Sequence, residues 1–261
     1  MDFLSQIIEY KKDRIARLMR SRSEASLRDE SEQKPADRRP FIHALESGTS
    51  DDIHIIAEIK RASPSKGPIR PDLIAADFAA KYEQGGASAI SVLTEGHWFK
   101  GSNADLKDAR AACGLPVLRK DFIVSPYQVY ESAVINADAI LIIVRILSES
   151  QLKDFLDLCA QLRLDALVEI HTKEDADKIK NTPARLIGIN NRNLKSFDTD
   201  IRRAGDLAAA LRPDQIPVAA SGISTKDNIQ KIRAAGIRHF LIGESIVRAS
   251  DPENFIRSLK E

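Results

Sequence analysis

Ile55-Ile56-Ala57-Glu58-Ile59-Lys60-Arg61-Ala62-Ser63-Pro64-Ser65-Lys66-Gly67 starts as an apolar run and ends in charge. The run reads as a buried strand. Side chains alternate along a strand, so Glu58 and Lys60 share one face while Ile59 points to the other. A carboxylate and an ammonium at the end of a buried strand are costly to desolvate. A structural ion pair would explain them, and so would a site. The Ser-Pro-Ser-Lys-Gly that follows supplies hydroxyls, a rigid bend and a permissive glycine, as a ligand-facing loop would. The choice rests on whether the pattern recurs.

It recurs downstream. From residue 53 the chain alternates strand and helix. The first strand covers about 53–59, with a helix over 72–84 ending at Gly85-Gly86. Residues 87–93 form the second strand, 103–112 its helix, and 116–120 the third strand. Ser125-Pro126 with Gln128 predicts a capping box opening the next helix. Strand four is 137–144, and its helix opens at Ser148 with Gln151. Leu152, Phe155, Leu156, Cys159 and Leu162 then trace one apolar stripe. Strand five is 165–170, followed by a Thr172–Asp175 helix start; strands six, seven and eight are 185–190, 216–221 and 238–243. Eight strand–helix units suit either a closed barrel or a doubly wound sheet. The even spacing, the count and the lack of a Gly-x-Gly-x-x-Gly turn select an α/β fold of the (β/α)8 TIM barrel type.

Ahead of the barrel, residues 2–20 read as a charged amphipathic helix with Leu4, Ile7, Ile8, Ile15 and Leu18 roughly on one face. Ser21 to about Arg39 is too charged to form a core by itself, and residues 40–48 add a short helix. The expected organisation is one domain: a helical extension at 1–50 packed on a barrel at 51–261.

The interior of such a barrel is filled with side chains, so polar residues facing it should be few. Here they gather at the C-terminal strand ends: Glu58 and Lys60 on strand one, Lys120 on three, Glu169 on five, Asn190 on six, Ser221 on seven. Barrel closure brings these ends into one ring. A single one is readily a satisfied structural group; five strands ending this way argue for one shared site. Ser221-Gly222-Ile223-Ser224 and Gly243-Glu244-Ser245 put unhindered backbone N–H groups after strands seven and eight, the usual place for a phosphate. Lys60 or Lys66 supplies a counter-charge. Pro64, Phe99, Phe122, Leu141 and Leu194 are apolar lining candidates. The two phenylalanines are either core packing or one wall for a flat aromatic ligand. Trp98 and His171 also lie near strand ends and read as residues behind the site or on the surface, since spacing identifies no partner for either.

Composition removes several functions. With 39 basic against 38 acidic residues in 261, there is no field suited to nucleic acid. Cys113 and Cys159 lack metal-ligand spacing, and Cys159 reads as a small core residue. No apolar run approaches the roughly 18 residues of a membrane span, and no signal-peptide pattern opens the chain. A reducing cytoplasm is the expected setting.

With these residues in hand, the chain resembles the indole-3-glycerol phosphate synthase family, from Arg39-Pro40-Phe41 to the last helix. Ile56 to Gly67 looks like the family signature. Ser91-Val92-Leu93-Thr94-Glu95 with Phe99-Lys100-Gly101-Ser102, Leu118-Arg119-Lys120-Asp121-Phe122, Val168-Glu169, Gly188-Ile189-Asn190-Asn191-Arg192-Asn193-Leu194 and Ser221-Gly222-Ile223 match further segments in order. The resemblance implies ring closure of an anthranilate joined to a deoxyribulose phosphate, with loss of carbon dioxide and water and with neither metal nor cofactor. Lys120 would be the general acid for closure and Glu169 its partner in the proton transfers of dehydration. Glu58 and Lys60 would orient the sugar, Asn190 would hold a hydroxyl, and Ser221 would complete the catalytic ring. Ser63, Pro64, Phe99, Phe122, Leu141, Arg192 and Leu194 would bind substrate, with Arg192 on its carboxylate. Lys60, Gly222, Gly243, Glu244 and Ser245 would hold the phosphate.

One position departs from the family pattern. A glutamate usually precedes the Ser-Gly of strand seven, whereas this chain has Ala220. The implied partner is a small phosphorylated aromatic substrate, with no nucleic acid and no membrane. The expected state is a monomer, association with other tryptophan-pathway enzymes being left open. Two other readings stand at this point: a sugar-phosphate isomerase of the same pathway, and a weakened relative that binds the same ligand without turning it over.

Overall fold

Strands buried on both faces should be apolar almost throughout, and this property builds the molecule. The computed structural model describes residues 3–33, 37–49, 51–192 and 198–261. Eight parallel strands close into a barrel: β1 His54–Ile59, β2 Ala89–Leu93, β3 Val117–Lys120, β4 Ala139–Ile143, β5 Asp165–Ile170, β6 Leu186–Asn190, β7 Ile216–Ala220 and β8 His239–Ile242. β1 closes the ring by pairing with both β2 and β8.

Alternation sorts the strand residues into two cores. Ile56, Leu118, Leu141, Leu167, Leu186, Val218 and Leu241 fill the interior. Ile55, Ala57, Ile59, Ile90, Val92, Ile140 and Val168 face outward, under the helices. Those helices are numbered after the three that precede the barrel: α1 Phe3–Ser21, α2 Glu24–Gln33 and α3 Phe41–Glu46. They run α4 Ala75–Gln84, α5 Asn103–Ala112, α6 Pro126–Val134, α7 Glu149–Gln161, α8 Lys173–Ile179, α9 Arg202–Ala208, α10 Lys226–Arg233, α11 Glu244–Arg248 and α12 Pro252–Lys260. Cys159 is a buried core thiol of α7, and burial pushes it up to about 12.

The base of the barrel is closed by α3. Phe41 and Leu45 are fully buried against the interior core; burying a side chain of that size is worth about 1.5–3 kcal/mol. Arg39 pins the approach, its guanidinium donating to the carbonyls of Leu115 and Arg110 and its N–H to Asp138.

One local expectation gains a detail and another needs correction. The charged stretch after residue 21, which forms no core by itself, contains α2, which starts at Glu24 just after Ser23, whose hydroxyl accepts the Ser26 N–H. α2 buries one apolar side chain, Leu27, in a small core with Tyr127 and Val134 of α6. A strip one leucine wide is enough when a neighbouring helix covers it. At the start of α6 the capping box is incomplete. Ser125 accepts the Tyr127 N–H, but Gln128 accepts from Val124 and donates to the Phe122 carbonyl. It braces the β3 turn instead of reaching back to its own cap. The reciprocal boxes at Ser148–Gln151 and Thr172–Asp175 are present.

Candidate active site

Closure of the barrel brings the strand ends together over one cavity of about 480 Å³. Glu58, Lys60, Lys120, Glu169, Asn190 and Ser221 line it, with Ser63, Pro64, Phe99, Phe122, Leu141 and Arg192. So do Gly222, Gly243, Glu244 and Ser245. Of the expected site residues, only Leu194 lies outside the described ones.

Its polar half is organised around Lys120. The Nζ atom stands 3.9 Å from a carboxylate oxygen of Glu58 and 3.9 Å from one of Glu169. Glu58 also accepts a 2.6 Å bond from Lys60. Burial pushes both carboxyls up, but the neighbouring cations outweigh it. Lys60 and then Lys120 hold Glu58 below the usual carboxylate range. Lys120, the His171 ring and the Asn190 amide pull Glu169 down to about 2. Both are therefore anions near neutrality, and an ammonium sits between them. That is a proton donor flanked by two acceptors, the set required for acid–base chemistry at a carbonyl.

Asn190 is oriented from below, since its Oδ1 accepts the Arg192 N–H at 3.0 Å, leaving its NH₂ to Glu169. Arg192 donates to Ser65 Oγ at 2.9 Å and so ties the loop after β6 to the loop after β1. Among the described residues the buried Ser63 Oγ has no partner, leaving a hydroxyl to spare for a ligand.

The other half is apolar. Phe99 and Phe122 stand 6.1 Å apart, their planes tilted by 43°. Phe99 is presented by a short loop whose N–H groups at His97, Trp98 and Phe99 all donate to the buried Glu95. Phe122 follows Asp121, which accepts from Lys11 at 2.6 Å, from Thr94 at 2.8 Å and from the Phe122 N–H. Lys11 belongs to α1, and the same helix brings Phe3, Leu4 and Ile7 to the cavity. These three are lining residues that sequence reasoning missed. The amphipathic stripe of α1 was legible, but what it covers was not. Trp98 packs edge-on against Phe3 and Tyr10 of that helix.

Two glycines at the rim have different reasons. Gly222 has φ +75° and follows Ser221 at +71°, so the chain passes through two left-handed residues in succession. Glycine takes that conformation freely; Ser221 does so at a cost of about 1–3 kcal/mol. The Asn191 amide donates to the Ser221 carbonyl at 3.1 Å and holds the turn. At Gly243 the constraint is space. A Cβ there would collide with the Glu58 carboxylate and stand 3.1 Å from Lys60 Nζ. Gly243 thus lets the Glu58–Lys60 pair lie against the backbone, a requirement beyond leaving an N–H open.

Ala220 ends β7 between Asn190 and Leu241 and lines the cavity. Among the described residues no other acid takes its place: Asp121 is committed to Lys11, and Glu244 to Arg248.

This chain matches the family model described as indole-3-glycerol phosphate synthase over residues 4–259. It is 53% identical to the indole-3-glycerol phosphate synthase of Desulfosudis oleivorans, covering 99% of this chain and 98% of that one. To the enzyme of the same name from Syntrophobacter fumaroxidans it is 48% identical, over 99% and 97%. Among solved structures, thiamine phosphate pyrophosphorylase from Pyrococcus furiosus superposes with a TM-score of 0.58 at 14% identity, over 80% of this chain and 95% of that one. That likeness speaks to the barrel alone.

Proposed function

The chain belongs to the indole-3-glycerol phosphate synthase family, and from that premise we propose how its cavity divides the work. The reaction is a carboxy-lyase step of tryptophan biosynthesis. It converts 1-(2-carboxyphenylamino)-1-deoxyribulose 5-phosphate to indole-3-glycerol phosphate, carbon dioxide and water. The ring carbon bearing the carboxylate attacks the sugar ketone, carbon dioxide leaves, and the resulting hydroxyl departs as water with loss of a ring proton.

Each step needs a proton moved at a defined place. As the new bond forms, charge collects on the ketone oxygen, and Lys120 donates to it. Glu169 serves the dehydration, taking the ring proton that must leave, while an ammonium of the mouth, Lys60 or a reprotonated Lys120, gives the departing hydroxyl the proton that makes it water. Glu58 and Lys60 hold the sugar and keep Lys120 aimed, and Asn190 and Ser221 bind hydroxyls. Arg192 meets the carboxylate, and Phe99, Phe122, Leu141 and Pro64 enclose the aromatic ring beside Ser63. The observation that carries this reading is Lys120 Nζ at 3.9 Å from both carboxylates in a cavity that is polar on one side and aromatic on the other. Turnover of the anthranilate substrate, followed by indole fluorescence, tests it; a folded protein that forms no indole product would refute it.

The phosphate goes to the backbone N–H groups around Gly222, Gly243, Glu244 and Ser245, with Lys60 as counter-charge. Inorganic phosphate or sulfate should therefore compete with substrate. A crystal grown in either should hold the anion between the loops after β7 and β8. An anion bound elsewhere, with those loops empty, would count against the cradle.

Ala220→Glu is expected to raise kcat/KM about tenfold, some 1.4 kcal/mol of transition-state stabilisation. The carboxylate would enter beside Asn190 in a mouth that also holds Lys60, Lys120 and Arg192, where no described acid has replaced it. The rival outcome is repulsion from Glu169 in a partly desolvated site. An equally stable variant that is no faster would establish alanine as native to a working site.

Residues 1–50 and 51–261 act as one catalytic unit, α1 supplying part of the aromatic wall. A cytoplasmic monomer fits the balanced charge, and among the described residues no helix is long and apolar enough to cross a membrane.

A further inference from the structure

His171 is buried, and its Nε2 stands 3.0 Å from Glu169 Oε1. Its Nδ1 is buried with no partner among the described residues. The backbone beneath it is fixed: the His171 N–H donates to Asp175 Oδ2 at 2.8 Å, and Asp175 closes the capping box of α8 and meets Arg145 at 3.3 Å. An ionised carboxylate only accepts, so the nitrogen facing it carries the proton. The tautomer is thus Nε2–H. A second proton, on Nδ1, would bury a charged N–H with nothing to receive it. The ring therefore donates to Glu169 through Nε2.

We infer that His171 is a positioning residue that decides which oxygen of Glu169 carries the transferred proton. Oε1 accepts the Nε2–H bond whether Glu169 is an anion or a neutral acid, in the second case as the carbonyl oxygen. The proton taken from substrate then goes to Oε2, the oxygen 3.9 Å from Lys120 Nζ. A cation in the same place would orient the carboxylate too, but would weaken it as a base. A single N–H donor at Oε1 fixes the carboxylate and leaves Oε2 open. The other groups facing Glu169 are Lys120, the Asn190 amide and, across Lys120, Glu58; Asp175 and Arg145 stand behind His171.

This rests on the assignment of Glu169 as the dehydration base, and the experiment separates the two. In the wild-type protein, ¹⁵N NMR of the imidazole should report a protonated Nε2 and a bare Nδ1 at neutral pH. A proton on Nδ1 would overturn the proposal without touching Glu169. His171→Leu should lower kcat about tenfold with KM within about twofold, the scale of one hydrogen bond to a charged group. Loss of a donor to the anion raises the Glu169 pKa, so the acid limb of the kcat profile should move up by about one pH unit. His171→Gln places an amide N–H near the Nε2 position and should restore both rate and limb. A folded His171→Leu variant with wild-type kcat and limb, or a His171→Gln variant no better than it, refutes the inference. If His171→Leu does not fold, the NMR tautomer decides. Should Glu169→Gln prove harmless, the base assignment falls instead.

Discussion

Lys120→Met is expected to lower kcat by about 10²–10⁴-fold, the usual cost of a lost general acid, while the barrel stays folded. Methionine keeps most of the length and the apolar stem of lysine but has no proton to give. The side chain is 18% exposed, at a cavity wall, so the exchange opens no large void. Its electrostatic consequence is separate and has a sign. Lys120 is the first cation holding Glu169 down and the second holding Glu58 down. Without it, both folded-state pKa values rise toward the unfolded ones. A depressed carboxylate stabilises the fold above its unfolded pKa and loses that contribution as pH falls through its folded pKa. The variant should therefore be somewhat less stable at neutral pH, and the difference should shrink under acid. Lys60 still pairs with Glu58, and His171 and Asn190 still donate to Glu169, so unfolding outright is not expected. Steady-state indole fluorescence and a thermal melt check both parts. An activity loss under threefold in a folded variant would remove Lys120 from the role of acid.

The barrel was legible because its strands are buried on both faces. Every residue of β1, β2, β4 and β6 is buried, so apolar runs stood out, and the polar interruptions among them marked the site. Residues that work through a partner were harder to see. Strand alternation puts His171 on the same face as Glu169, two residues on, and that signal was available; Nε2 aimed at Oε1 is tertiary. Lys11 reads as one more charge on a charged helix until Asp121 is placed against it, 110 residues away in sequence. α2 is nearly all polar, and only Leu27 and the Ser23 cap betray it. Glycine 243 was read for its open N–H, whereas the packing adds a requirement set by Glu58, on a strand that neighbours it only after closure.

Glu169→Gln should lower kcat by about 10²–10⁴-fold, again the range for a proton-transfer group, with a much smaller loss of product affinity. Glutamine is nearly isosteric, so packing changes little. Its amide can keep one bond, with Oε1 accepting from His171 as before. The other end then presents NH₂ where Oε2 faced Lys120, and two donors meet with no acceptor between them. The site thus loses a base and also an anion that balanced the ammonium. The product lacks the proton that Glu169 is required to accept, so binding of indole-3-glycerol phosphate should change by only a few-fold. Fluorescence titration of product against kcat separates the two terms. If kcat and product affinity fell by the same factor, Glu169 would be holding the ligand alike in ground and transition states, and the dehydration proton would need another acceptor. Glu58 would be next in line, since it shares Lys120 and is likewise held as an anion. The unequal loss is the expected result, because Glu58 is already engaged by Lys60 at 2.6 Å, whereas Glu169 takes its His171 bond on Oε1 at 3.0 Å and keeps Oε2 toward Lys120.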